Sequence, residues 1–145
     1  MVPVICNKDL MGYGFNRIWR AVKKEALHLA DSGAVNPEDV DRFWVLCFGS
    51  RLGPFAQMDE IGLDTILNVE KQYYEESRDE GDKPPKILTD LVDAGHFGKK
   101  SGKGFYDYPN PAYSQPGWLY KEQPWEEAGP QGTMDGRNAG SKKTG

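Results

Sequence analysis

Apolar residues recur at helical spacing near the start of the chain. Between Tyr13 and about Ser32 they return every three or four residues, which places them on one face of a helix. The residues on that face are Phe15, Ile18, Trp19, Val22, Ala26 and Leu29. This pattern predicts a long amphipathic helix whose apolar face packs against other helices.

Glycines and prolines mark the limits of the next element. Gly33 is a plausible stop for the first helix. Asn36 is a typical capping residue, and Pro37 suits the first position of a helix that we expect to run to about Phe48, where Gly49 ends it. The inward residues predicted for this second helix are Val40, Phe43, Trp44 and Cys47.

Three further helices follow in the pattern. A third begins at Pro54, and a fourth extends from Thr65 to roughly Asp79. Two prolines after Lys83 break the fourth helix, and one more short amphipathic helix precedes Gly95. The sequence therefore predicts a bundle of five helices.

The predicted fold class is all-α, a helical bundle with a short N-terminal extended segment and an irregular C-terminal tail. The 145 residues, 38% of them hydrophobic, suffice for one small domain, which we place at residues 12–108. Residues 1–11 are interpreted as a remnant interdomain strand and linker, because residues 2–5 form a short apolar run that lacks a partner strand. A frayed terminus is the alternative. The only other segment typical of a strand is Phe105–Tyr108.

The last part of the chain has the composition of a tail. Residues 109–145 contain five prolines and six glycines without a helical or alternating period. We expect disorder after about residue 126. Trp118, Tyr120 and Trp125 are large enough to dock onto the helices.

Charge and cysteine content narrow the classes of function. A net charge of -4 argues against a general nucleic-acid or membrane-surface binder. No run approaches the roughly 20 apolar residues that a membrane span needs. Cys6 and Cys47 lie far apart and lack metal-ligand spacing, so we expect free thiols, no bound metal and a cytoplasmic location.

Short motifs occur along the chain in an order that resembles one protein family. They are Lys8-Asp9, Gly12-Tyr13, Asn16-Arg17, Glu25-Ala26, Glu38 to Asp41, Gly53 to Phe55, Met58-Asp59, Gly62 to Asp64 and Phe97 to Tyr106. Over about residues 2 to 108 the chain resembles the C-terminal domain of the L-3-hydroxyacyl-CoA dehydrogenase family, a helical domain of the 6-phosphogluconate dehydrogenase C-terminal-like type.

The resemblance implies an oxidoreductase of fatty acid metabolism that passes hydride between C3 of a 3-hydroxyacyl-CoA and NAD. In that family a Rossmann domain binds NAD and carries a catalytic His-Glu pair, and the helical domain closes the cleft and forms a dimer. The sequence contains no G-x-G-x-x-G loop. We therefore expect NAD to be bound by a domain absent from this chain, no cofactor on the chain itself, and no turnover by the chain alone. The expected partners are acyl-CoA, a second copy of the chain and a separate Rossmann-fold NAD-binding subunit.

Three residues are candidates for substrate contact. By resemblance, Asn16 is the catalytic asparagine at the start of the first helix, whose amide can donate to a developing oxyanion. The alternative is that Asn16 merely caps or solvates the first turn of the helix. Phe55 and Met58 are candidates for the wall of an acyl pocket, although apolar residues at helical spacing usually belong to the core.

A glycine-rich basic segment near residue 100 is a weaker candidate. Lys99, Lys100 and Lys103 could meet a phosphate of CoA. We favour a solvated basic turn that lets the chain double back. His28 and His96 lack the setting of a catalytic histidine, and we assign them no role.

Two other classes of function stay open. One is a non-catalytic oligomerisation or acyl-CoA-binding module. The other is a branch of the same superfamily that acts on hydroxy acids without CoA.

Overall fold

The structure, a computed structural model, describes residues 5–9 and 12–120 and consists of helices joined by short loops. The five helices are α1 (Tyr13–Asp31), α2 (Pro37–Phe48), α3 (Pro54–Ile61), α4 (Leu63–Ser77) and α5 (Lys86–Asp93). Within these residues no β-strand forms. The all-α prediction is confirmed. No helix among the described residues is both long and apolar enough to cross a bilayer.

Local sequence explains where α2 begins and ends. The Asn36 side chain accepts a hydrogen bond from the Glu38 amide at 3.1 Å, and Pro37 occupies the first position. At the other end Gly49 adopts a left-handed conformation with φ 61° and donates to the Val45 carbonyl. The predicted limits of this helix are confirmed.

Helix α3 lies at the centre of the bundle and packs against α1, α2 and α4. Phe55 and Met58 from α3 are fully buried, as are Leu27 from α1, Leu63 from α4 and Leu88 from α5. The Phe55 ring also meets the Phe105 ring edge to face, with centroids 4.7 Å apart. These contacts hold α3 in the core of the bundle.

The predicted inward faces of α1 and α2 are largely exposed. Phe15 and Ile18 of α1 are 75% and 68% exposed, and Phe43 and Cys47 of α2 are also exposed. The residues that α1 buries are Lys23, Ala26, Leu27 and Ala30, while α2 buries Asp41 and Arg42. The prediction is confirmed for Ala26 and Val40, which belong to the core or pack against it, and was wrong for the exposed residues of the two stripes, because periodicity reveals an apolar face without showing what covers it.

Residues 97–108 form a compact loop against α3, and the segment expected as a strand, Phe105–Tyr108, makes only an isolated bridge at Asp107. Gly98 has φ 90°, and a Cβ there would collide with the backbone of Asp59. The close approach therefore requires glycine. The lysines of the loop form ion pairs, as expected of a basic turn: Lys99 with Glu60, Lys100 with Asp64 and Lys103 with Asp107.

The segment after residue 108 is docked as far as Trp118, whereas Tyr120, the other described aromatic residue considered for docking, is 80% exposed. It contains two single-turn 3-10 helices, Ala112–Ser114 and Trp118–Tyr120. Arg42 of α2 donates to the Trp118 carbonyl at 2.7 Å, and its guanidinium lies 4.8 Å from the centre of the Trp118 ring. The folded unit thus continues past the boundary expected at 108. The disorder expected after 126 and the docking of Trp125 lie outside the described residues, as does most of the strand expected at 2–5.

Candidate functional site

A groove of about 280 Å³ runs between α1 and α4. Its lining includes Asn16, Trp19, Arg20 and Lys23 from α1, Ile61 from the end of α3, and Thr65, Ile66, Val69, Gln72 and Tyr73 from α4. One candidate residue, Asn16, belongs to this lining. Apolar walls with a few polar groups are typical of a small-molecule site.

Asn16 lies in the first turn of α1 and is exposed. The residue that caps α1 is Gly12, with φ 77°, so the capping interpretation of Asn16 was wrong. Its amide is accessible at the mouth of the groove. An uncharged carboxamide offers two N-H donors and a carbonyl acceptor, which suits a polarised oxygen on a ligand.

Tyr73 of α4 approaches the beginning of α1 beside Asn16. A Cβ placed on Gly12 would lie 2.5 Å from the Tyr73 hydroxyl oxygen and 3.7 Å from the Asn16 Cβ. Glycine at position 12 therefore lets the phenol reach the helix start. The Arg20 guanidinium lies over the Tyr73 ring, 3.8 Å from the ring centroid, and this cation–π contact stabilises the position of the ring.

Arg20 is held by two acids from distant parts of the chain. Its Nε donates to Glu70 Oε2 at 3.1 Å, and its Nη2 donates to Asp82 Oδ1 at 3.0 Å. Lys24 donates to the same Asp82 oxygen at 2.6 Å. Because a planar guanidinium binds in a fixed orientation, these bonds set the position of Arg20 against Tyr73.

Lys23 lines the groove although it is only 4% exposed. Its Nζ lies 3.7 Å from Glu70 Oε1, and that buried oxygen accepts no hydrogen bond from the described residues. Burial lowers the pKa of Lys23, and the nearby Glu70 carboxylate opposes this effect. The groove therefore has a sparingly solvated amine at its inner end.

The apolar spacing did not identify the cluster of charged residues formed by Arg20, Lys23, Lys24, Glu70 and Asp82, although the sequence contained an indication of it. Glu70 falls on the apolar stripe of α4, between Ile66 and Tyr73, where a solvated acid is not expected. Lys23 stands two turns after Asn16 on the same face of α1. A charged residue on each of two facing apolar stripes is a reason to expect an ion pair between them.

The other two candidates, Phe55 and Met58, lie in the core. Both are 0% exposed, and neither lines the groove. Packing accounts for them without a ligand, and contact with an acyl chain stays a prediction. The histidines also lie away from the groove lining.

Two buried aspartates hold the surrounding scaffold, and the sequence pattern did not identify them. Asp41 accepts from the Phe55 and Ala56 amides at the start of α3, each at 2.8 Å, and from the Tyr106 hydroxyl at 2.9 Å. Burial raises the pKa of Asp41 to about 6, against the effect of these three donors. Asp59 similarly accepts from two loop amides and the Tyr108 hydroxyl. Both residues join α3 to its neighbours.

Residues 12–108 match the family described as 3-hydroxyacyl-CoA dehydrogenase, C-terminal domain. The chain belongs to this family. The expected resemblance is confirmed, and Asn16 and the groove lining lie within the residues that match this 3-hydroxyacyl-CoA dehydrogenase C-terminal domain.

Named relatives agree with this assignment. A probable 3-hydroxybutyryl-CoA dehydrogenase of Deinococcus radiodurans is 36% identical over 106 residues, which cover 73% of this chain and 38% of that protein. The human mitochondrial hydroxyacyl-coenzyme A dehydrogenase is 36% identical over 107 residues, covering 73% and 34%. The solved (S)-3-hydroxybutyryl-CoA dehydrogenase PaaH1 from Ralstonia eutropha matches this dehydrogenase domain with a TM-score of 0.60 at 36% identity, over 64% of this chain and 33% of that one. The chain thus spans about a third of the length of these relatives.

Proposed function

We propose that this domain forms the substrate-contacting and subunit-pairing part of an NAD-dependent L-3-hydroxyacyl-CoA dehydrogenase of fatty acid metabolism. The observation that carries the proposal is the family match over residues 12–108, within which Asn16 stands exposed at the mouth of a groove. The family indicates the class of reaction, and the groove indicates where the substrate binds.

Asn16 has the chemistry for one part of that reaction. Its amide N-H groups donate to the oxygen on C3 of the substrate, where negative charge develops as the hydride is transferred. The amide carries no charge in either state, so this contact needs no change of protonation. Asn16 positions and polarises the substrate, while the proton is transferred by residues of another domain.

Binding of NAD requires a domain outside these 145 residues. The sequence has no G-x-G-x-x-G segment, the loop that lets backbone amides and a helix N-terminus hold a pyrophosphate. We propose that a Rossmann domain supplies this function and covers the start of α1, where Tyr13, Phe15 and Ile18 are exposed. Without that domain the chain has no turnover.

The test is an NADH-linked assay with acetoacetyl-CoA. The chain is assayed alone, then together with candidate NAD-binding subunits that co-purify or are co-expressed with it. We expect no activity from either chain alone and activity from the pair. Turnover by the 145 residues alone would contradict the proposed division of labour, and no gain for any pair would contradict the split enzyme.

An oligomerisation module is the second candidate, and one observation favours it. The α2 stripe of Phe43 and Leu46, three residues apart on one face of the helix, is 65% and 56% exposed, which is unusual for a surface that stays in water. We propose that a second copy of the chain covers this stripe, since most soluble oligomers pair identical surfaces around a two-fold axis. A catalytic domain and a dimerisation surface are compatible on one chain.

The variant Phe43→Asp tests the dimer. A charge in the centre of the stripe is expected to turn a dimeric chain into a monomer, because an unpaired carboxylate is costly to bury. Sedimentation equilibrium measures the mass, and Phe43→Leu, which preserves an apolar side chain, is the matched control that we expect to remain dimeric. A wild-type chain that sediments as a monomer would contradict the pairing.

We propose a cytoplasmic location on the basis of thiol chemistry. Cys6 and Cys47 are both free in the structure. Unpaired cysteines suit a compartment in which thiols stay reduced.

A further inference from the structure

The Tyr73 side chain extends along the side of α1 that carries Asn16. Its ring lies under the Arg20 guanidinium, and its hydroxyl oxygen reaches Gly12, where an added Cβ would be only 2.5 Å away. Gly12, Asn16 and Arg20 follow one another at intervals of four residues, so they share one face with Asn16 in the middle. A phenol that contacts both ends of this face therefore passes beside the Asn16 side chain.

The chain enters α1 through two residues with a left-handed backbone. Gly12 has φ 77° and Tyr13 has φ 49°. Glycine adopts this conformation readily, whereas a residue with a bulky side chain rarely does, and such a conformation persists only where neighbouring groups hold it. The Tyr13 side chain is 61% exposed, so packing of its own ring does little to hold it. Contacts from other elements are needed, and Tyr73 of α4 supplies one at Gly12.

Arg20 gives the Tyr73 ring a fixed position. Its Nε donates to Glu70 Oε2, and Glu70 precedes Tyr73 by three residues on the same face of α4. One rigid guanidinium therefore binds the acid and covers the ring at the same time. Movement of the ring away from α1 costs the cation–π contact, and movement of Arg20 with it costs the hydrogen bond to Glu70.

The Asn16 side chain needs support of this kind because it is exposed. A carboxamide in water exchanges between several rotamers, whereas a donor to a reacting oxygen has to point at one position. A ring beside the carboxamide excludes some of these rotamers. The donor is then oriented before the substrate binds, and less conformational entropy is lost in the reaction.

We propose that Tyr73 is a positioning residue for Asn16: held by Arg20, it fixes the first turn of α1 and restricts the Asn16 carboxamide to the orientation in which it donates to the substrate. The inference rests on the proposed function for the task of the Asn16 amide. The packing of Tyr73 against the helix start does not depend on that function. Tyr73 acts through Asn16 and not on the substrate itself.

NMR relaxation of the isotopically labelled chain tests the packing without a ligand or a partner. The readout is the heteronuclear NOE of the Asn16 side-chain amide, whose signals are assigned by their loss in Asn16→Ala. In the wild type we expect motion nearly as restricted as that of the α1 backbone, and in Tyr73→Leu the motion of a freely rotating side chain. A mobile Asn16 amide in the wild type, or equal mobility in the two proteins, would overturn the proposal.

Tyr74→Leu is the matched control for this measurement. Tyr74 is the next residue of α4, but its hydroxyl donates to Glu80 Oε1 at 2.6 Å and its side chain does not line the groove. We expect the Asn16 amide to keep its wild-type mobility in this variant. An equal gain in mobility in Tyr74→Leu would reduce the effect to a general loosening of α4, which also overturns the proposal.

Steady-state kinetics test the role in the reaction. In the chain assembled with its NAD-binding partner, Tyr73→Leu is expected to lower kcat about tenfold and to leave KM within about twofold, because a misdirected donor weakens an interaction made in the transition state. In an Asn16→Ala background the same substitution is expected to have no further effect on kcat. Equal fold losses in both backgrounds would show that Tyr73 acts independently of Asn16 and would overturn the proposal.

Tyr73→Phe covers the case in which the leucine variant does not fold. It retains the ring beneath Arg20 and removes only the oxygen that reaches Gly12, so we expect smaller changes in the same direction. Wild-type values of both the Asn16 NOE and kcat in this variant would overturn the proposal.

The two measurements separate this inference from the proposed function. Full kcat in Asn16→Ala would contradict the proposed function, because the amide would then take no part in the reaction. The NMR comparison of the wild type with Tyr73→Leu would still decide whether Tyr73 holds Asn16 in place.

Discussion

Replacing Asp41 by alanine is expected to lower the free energy of unfolding by about 3 to 5 kcal/mol, because three buried donors lose their acceptor at about 1 to 3 kcal/mol each. The donors are the Phe55 and Ala56 amides and the Tyr106 hydroxyl. Two of them are at the start of α3, so the central helix also loses its N-terminal anion. Urea denaturation followed by circular dichroism measures the change.

Two further variants make this prediction specific. Asp41→Asn retains one acceptor oxygen and is expected to lose less stability than Asp41→Ala. Asp90, which forms an exposed ion pair with Lys86 on α5, provides the control, and Asp90→Ala is expected to unfold like the wild type. Equal stability of Asp41→Ala and Asp90→Ala would show that Asp41 does not hold α3.

The largest effect on catalysis is expected for Asn16→Ala. In the chain assembled with its NAD-binding partner, loss of a donor to the developing oxyanion lowers kcat by a factor of about 10² to 10³. Because Asn16 is exposed and does not cap α1, the folded domain tolerates the change. Steady-state kinetics with acetoacetyl-CoA and NADH measure kcat and KM separately.

The comparison with Asn16→Asp tests the chemistry of that contact. The carboxylate has nearly the same shape but cannot donate when ionised, and it repels an oxyanion, so we expect a loss of kcat at least as large as for alanine. Unchanged thermal melting of both variants is the control for folding. A kcat within twofold of the wild type for Asn16→Ala would assign the residue to the surface rather than to the reaction.

Helix limits could be predicted because their causes are local. Asn36, Pro37 and Gly49 act within one turn of the helix that they start or end, and each has the role that its chemistry indicates. Pro54 similarly starts α3 at the predicted residue. The apolar spacing also placed the start of α1 at Tyr13, which puts Asn16 in the first turn.

Contacts between distant residues could not be predicted in this way. Arg20 and Glu70 lie 50 positions apart, and Arg42 and Trp118 lie 76 apart. Their pairing depends on how helices pack, which spacing along one helix does not specify. Spacing along one helix also does not show which surface packs against that helix. For this reason the sequence could not predict that the apolar stripes of α1 and α2 would be exposed in this chain.

The hydrogen bond between Arg42 and Trp118 means that the folded unit extends beyond the residues that match the family. The family match ends at residue 108, yet Arg42, which is only 7% exposed, contacts the carbonyl and the ring of Trp118. A fragment that ends at residue 108 would leave the Arg42 guanidinium without the carbonyl and the ring of Trp118. Any recombinant version meant to behave like the natural chain should retain residues through Tyr120.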